Sequence, residues 1–203
     1  PKRFEEGSTH PGDPYPNWGM LQTCLFKLVV PRALEPYLDA DYARRNLELV
    51  RRRSEIVKKY GMQAAVVVID PFYLPEQAYL DHPAWRGPRC DHPRRSRDMY
   101  FSPCIDNEEV RGLYYEAMQR LCAEVDIGFF QIITNDSGAG VCWSTGLYNG
   151  PNGPEACRKV SMADRIVGFL QVLYDAARSQ GRETLIDITS DIFGYKAPEA
   201  SMD

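Results

Sequence analysis

The densest run of chemistry-bearing residues is Thr134-Asn135-Asp136-Ser137-Gly138-Ala139-Gly140, which follows an apolar segment and leads into Cys142-Trp143-Ser144 and Tyr148. A carboxamide and a carboxylate at the end of a buried strand, followed by small residues that let a ligand approach the backbone, form the layout of a polar small-molecule site. In that layout a buried strand delivers Asn135 and Asp136 to the edge of the sheet. The competing reading is that the pair only opens a tight turn. A second carboxylate stands in Ile69-Asp70-Pro71-Phe72-Tyr73, where the proline halts a strand and two aromatics follow. Asp70 there either lines the mouth of a sheet or caps a local turn. A third candidate is Asp191, after Leu185-Ile186-Asp187-Ile188-Thr189. Alternation puts Asp187 and Thr189 on one face with Leu185, and Ile186 with Ile188 on the other. An acid inside such a strand must be paired or line a polar interior.

Between the first two candidates, Asp81-His82-Pro83 is echoed by Asp91-His92-Pro93 around Trp85, Arg86, Arg89 and Cys90. Trp and Tyr faces stack on sugar rings, and guanidinium groups bond hydroxyls or carboxylates. Tyr73, Trp85, Arg86, Arg89, Trp143 and Tyr148 therefore read as a substrate wall, with Asn135. The residues predict neither metal nor cofactor: no HxxH or CxxC spacing occurs, and GxGxxG and the phosphate-loop Lys-Ser/Thr are missing. Of six cysteines, Cys24 and Cys122 fall in apolar runs and read as core thiols. Cys90, Cys104, Cys142 and Cys157 lie in two long loops, where spacing leaves a disulfide open.

Three amphipathic helices must position these groups. One spans about Tyr42 to Tyr60 and stops at Gly61; a second spans about Asn107 to Val125, with Asp106 and Glu109 spaced as a capping box. The third spans about Met162 to Gln180, with Ser161 and Asp164 as its box and Gly181 as its stop. Short apolar runs follow each of them: Gln63–Ile69, Ile127–Thr134 and Thr184–Thr189. Runs this short, rich in β-branched residues, are buried strands, and a fourth candidate, Leu21–Val30, precedes the first helix. The pattern predicts an α/β fold of parallel strands alternating with helices. Turns after helices are minimal, whereas Asp70 to Ile105 and Asn135 to Val160 are long, so elaboration gathers at the carboxyl ends of the strands. Two readings follow, part of an eight-stranded barrel or a complete open sheet; loops of that length suit a barrel mouth, and the expectation is a (β/α)-barrel or partial TIM barrel. Residues 1–203 would form a single α/β domain, a fragment of a larger (β/α)8 barrel whose remainder is a partner.

Composition narrows the classes. A 203-residue chain with 44% hydrophobic and 26% charged residues is ordinary for a globular domain. A net charge of -4 argues against a nucleic-acid partner, and Arg51-Arg52-Arg53 reads as a solvated helix face. No apolar stretch approaches the ~20 residues of a membrane span, so no membrane partner is expected. The chain opens Pro1-Lys2-Arg3-Phe4 without a methionine or signal-like segment, and reads as processed or cut from a longer one. Localisation is left open, a soluble protein in a periplasmic or secreted setting being compatible.

Between Ser102 and Gln180 the sequence resembles the catalytic barrels of family 67 α-glucuronidases and hexosaminidase-type glycoside hydrolases. The likeness lies in Asp106-Asn107-Glu108-Glu109-Val110, Asp126-Ile127-Gly128-Phe129-Phe130, and the strand end Thr134-Asn135-Asp136-Ser137-Gly138 with its Gly/Pro loop. The family's strand end is similar to Asn-Ser-Glu-Gly, with glutamate as the acid; here Ser137 takes that position and Asp136 precedes it. The resemblance implies hydrolysis of a glycosidic bond in a carbohydrate substrate by two carboxyl groups. Asp136 would be the acid, and Asp70 or Asp191 its partner. A noncatalytic carbohydrate-binding or degenerate barrel domain is the alternative, and a metal-dependent barrel isomerase or hydrolase is a third.

Overall fold

The computed structural model describes residues 23–91, 99–134, 140–144 and 152–189. The first helix, α1 (Ala40–Lys58), starts where the Asp39 carboxylate accepts the Tyr42 N–H, and the chain leaves it through Gly61 at a φ of 72°. Ala43, Leu47 and Ser54 are its buried stripe. Arg51 and Arg52 bond Glu48, and Arg51 also bonds Glu55, which is the solvated helix face the sequence predicts.

Three strands follow in parallel and in chain order: β1 (Ala64–Ile69) pairs with β4 (Ile127–Ile133), which pairs with β5 (Leu185–Thr189). The register sets Val66 beside Phe130 and Ile186, and Val68 beside Ile132 and Ile188. These residues face the helices. Packed with them are α3 (Glu108–Glu124), through Val110, Tyr114, Ala117, Met118 and Leu121, and α4 (Met162–Ser179), through Phe169, Leu173 and Ala177. The predicted Ser161 cap is present, its hydroxyl accepting from the Asp164 N–H at 3.1 Å. The predicted Asp106 cap is not. Asn107 caps α3 by accepting from the Val110 N–H at 3.1 Å, because Asp106 turns toward Arg165 instead.

The long segment after β1 carries structure of its own. It holds a short helix, α2 (Glu76–Asp81), and a two-stranded antiparallel sheet of β2 (Arg86–Arg89) and β3 (Phe101–Pro103). Gly87 is required there, since a β-carbon would come within 2.7 Å of the Ser102 carbonyl.

The expected (β/α)-barrel, whole or partial, is not formed. The described residues make an open three-stranded parallel sheet and a two-stranded antiparallel one, and a barrel of this type needs eight tilted strands to close. Alternation of strand and helix is common to open sheets and barrels, so periodicity alone could not separate them. The candidate strand at Leu21–Val30 fails for a local reason: Leu25–Lys27 is a 3-10 turn, its Leu25 N–H drawn to the Asp70 carboxylate at 2.8 Å.

The helices cover one face of the parallel sheet. On the other face the register stacks Ala65, Phe129 and Leu185 in one row, Val67, Gln131 and Asp187 in the next, and Ile69, Ile133 and Thr189 in the third. Leu185 is 66% exposed, and Val67 and Ile133 are also exposed. Among the described residues nothing covers this face. Parallel sheets are usually buried on both sides, whereas the described residues cover this one on a single side. No described helix is long and apolar enough to cross a membrane.

Candidate functional site

Asp70 does lie at the carboxyl edge of β1, where its N–H donates to the Ile133 carbonyl at 3.3 Å. Its side chain, however, points to the helix side and is only 1% exposed. One carboxylate oxygen accepts the Leu25 N–H at 2.8 Å and the other the Tyr114 hydroxyl at 3.1 Å. Burial pushes the carboxyl up to about 7, against the lowering effect of those donors. Asp70 is thus an internal tie between the segment before α1, β1 and α3.

The predicted substrate wall is largely built into the protein. Trp85 is buried; its Nε1 donates to Glu109 at 2.6 Å, and its ring stacks on His82 with centroids 3.8 Å apart. Tyr73 is buried between Phe72 and Tyr100. Arg86 pairs with Glu76 and lies over the Tyr79 and Phe101 rings. Arg89 forks onto Asp91 with two bonds of 2.7 Å, while its backbone exchanges two bonds with the Asn152 side chain. Trp143 is partly exposed, but Arg158 covers its ring and its Nε1 donates to the Pro154 carbonyl at 2.9 Å. Its φ of 61° places a bulky residue in the left-handed region, at a cost of about 1–2 kcal/mol. Asn135, Asp136, Tyr148 and Asp191 lie outside the described residues.

Two groupings emerge that spacing did not show. The first is on the open sheet face. Gln131 Nε2 donates to Thr189 Oγ1 at 3.1 Å and to Asp187 Oδ2 at 3.4 Å, and the Thr189 hydroxyl donates to the same carboxylate oxygen at 3.1 Å. Asp187 is half-buried and forms no ion pair among the described residues. The alternation expected for β5 is observed, and Gln131 is the residue that reasoning missed. Its signal was a lone amide inside an apolar strand, as in Phe129-Phe130-Gln131-Ile132.

The second grouping unites Cys104, Asp106, Cys142 and Cys157, whose ligand-type atoms all lie within 4.8 Å of one another. Cys104 Sγ is 3.5 Å from Cys142 Sγ and 4.0 Å from Cys157 Sγ. The thiols of Cys142 and Cys157 pull Cys104 well below the ordinary thiol range, and the same contacts push Cys142 up. Arg165, 1% exposed, donates to Asp106 Oδ2, the Cys142 carbonyl and the Cys157 carbonyl at 2.7, 2.7 and 2.6 Å. Asp106 Oδ1 is buried and has no hydrogen-bond partner among the described residues; Arg111 Nη2 lies 3.9 Å from it. The partners come from three separate segments, so no CxxC spacing could have announced them. No protein-family model matches the chain, and no curated protein sequence matches it significantly.

Proposed function

We propose that the chain is a carbohydrate-active domain that receives a sugar on the open face and carboxyl edge of its parallel sheet and hydrolyses a glycosidic bond there. The observation that carries the reading is the polar strip Gln131–Asp187–Thr189, set between the apolar rows of Phe129 with Leu185 and Ile69 with Ile133. Sugars present the same mixture, hydroxyls around an apolar ring face, and sites for them combine a few placed polar groups with apolar walls. The strip ends at the sheet edge, where the Thr134 N–H donates to the Thr189 carbonyl at 3.1 Å. Asn135 and Asp136 follow Thr134 directly in sequence.

In this reading Asp136 is the acid and Asp187, half-buried and in no ion pair among the described residues, is the second carboxylate. Asp70 is set aside because it is sealed on the helix side. Glycoside hydrolysis needs one carboxyl to protonate the leaving oxygen and another to act as base or nucleophile.

The test is hydrolysis of a panel of aryl glycosides by the native chain and by Asp136→Asn and Asp187→Asn. Each substitution should lower the rate by about 10²–10⁴-fold with the circular dichroism unchanged. Undiminished turnover in Asp187→Asn would remove the open face from the chemistry. Sugar binding without turnover in the native chain would assign the noncatalytic alternative.

A further inference from the structure

Three cysteines and an aspartate from three segments converge beside a buried arginine, and the sugar reading uses none of them. We propose that Cys104, Asp106, Cys142 and Cys157 bind one divalent transition-metal ion, with zinc the ion whose chemistry suits the donor set. The ion would clasp the β3–α3 connection, the loop after β4 and the turn entering α4.

Distances favour a single ion. Two sulfurs each about 2.3 Å from zinc at a tetrahedral angle lie about 3.8 Å apart. The Cys104 sulfur lies 3.5 and 4.0 Å from its two neighbours, on either side of that value. The fourth donor is provided too. Asp106 uses Oδ2 on Arg165 and keeps Oδ1 buried without a hydrogen-bond donor among the described residues, an arrangement that is costly unless something binds it.

A disulfide is the competing reading, and it explains less. A Cys104–Cys142 bond would consume two of the three thiols and leave Cys157 and Asp106 Oδ1 without a purpose. A metal ion employs all four.

Charge also balances. Three thiolates, one carboxylate and a divalent cation leave two negative charges, which match Arg165, bonded at 2.7 Å, and Arg111, at 3.9 Å. Arg165 further holds the Cys142 and Cys157 carbonyls, so it orients three of the four ligand-bearing residues. Metal loading releases the thiol protons to solvent and involves no change of oxidation state. Affinity should therefore fall as pH is lowered.

The experiment is elemental analysis of the full chain purified without chelators, followed by exchange with Co²⁺. The expected result is about one zinc per chain, and tetrahedral thiolate–cobalt absorption after exchange. Cys104→Ser, Cys142→Ser and Cys157→Ser should each lose that spectrum. In case the cysteine variants fail to fold, Asp106→Asn and Arg165→Lys serve as milder probes. Each should keep the thiolate–cobalt bands while weakening affinity by about 10–100-fold in a chelator competition. A chain that is metal-free as purified and takes up neither Zn²⁺ nor Co²⁺ under reducing conditions would overturn the proposal. So would a Cys104–Cys142 disulfide found by non-reducing mass spectrometry in a metal-free, folded chain.

Discussion

Replacing Asp70 by asparagine removes a buried titration while keeping the shape of the group and an oxygen for the Leu25 N–H. In the folded chain desolvation raises the carboxyl to about 7 from its ordinary value of 3.8. Below 3.8 the group is protonated whether the chain is folded or not, so its contribution is fully present. As pH rises toward 7, the unfolded chain gives up the proton while the folded chain retains it, and stability falls. The slope is about 1.4 kcal/mol per pH step, or about 4 kcal/mol across the whole window. Above the folded value the loss is complete and levels off. The assay is urea unfolding followed by circular dichroism, with the native chain and Asp70→Asn compared at intervals between about pH 4 and pH 8. The difference between the two proteins isolates Asp70 from the other carboxylates. The native chain should lose about 4 kcal/mol relative to the variant across that range, and above pH 7 the variant should be the more stable. Parallel profiles would refute the reasoning, because they would mean that Asp70 is ionised in the fold near its ordinary value. The same variant bears on function: if Asp70 is a structural tie, glycoside turnover should survive its replacement.

Two smaller perturbations probe the supports of the site. Gly140→Ala should cost about 2–4 kcal/mol, since φ is 62° and the new β-carbon would meet Ser102 Oγ at 2.8 Å and overlap the Pro71 carbonyl. Unchanged thermal unfolding would show that the backbone there can give way. Asn107→Ala removes the α3 cap that accepts from Val110 and should cost about 1 kcal/mol, measured by the same melt. A larger loss, present with metal bound and absent when both proteins are compared after chelation, would tie the cap to the cysteine cluster instead.

What the sequence determined was local and periodic. The stripes on α3 and α4, the glycine stops at Gly61 and Gly181, and the β-branched runs of β1, β4 and β5 follow from spacing alone, because helix and strand each impose a fixed repeat on the buried residues. The facing of Asp187 with Thr189 was legible for the same reason. The same repeat could not say whether the sheet closes, since an open sheet and a barrel share it, and it could not reveal β2 and β3, whose three or four residues are too short to show a period. Side-chain destiny was decided by tertiary contact. Trp85, Arg86 and Arg89 carry the composition of a ligand wall, yet Glu109, Glu76 and Asp91 reach them first. Asp70 stands at the predicted edge but turns inward to Tyr114. Cys104, Cys142 and Cys157 lie far apart in the chain, and only the packing of α4 against α3, with Arg165 between their loops, brings the three sulfurs together. Convergence of that kind depends on distance through space, which linear order does not encode.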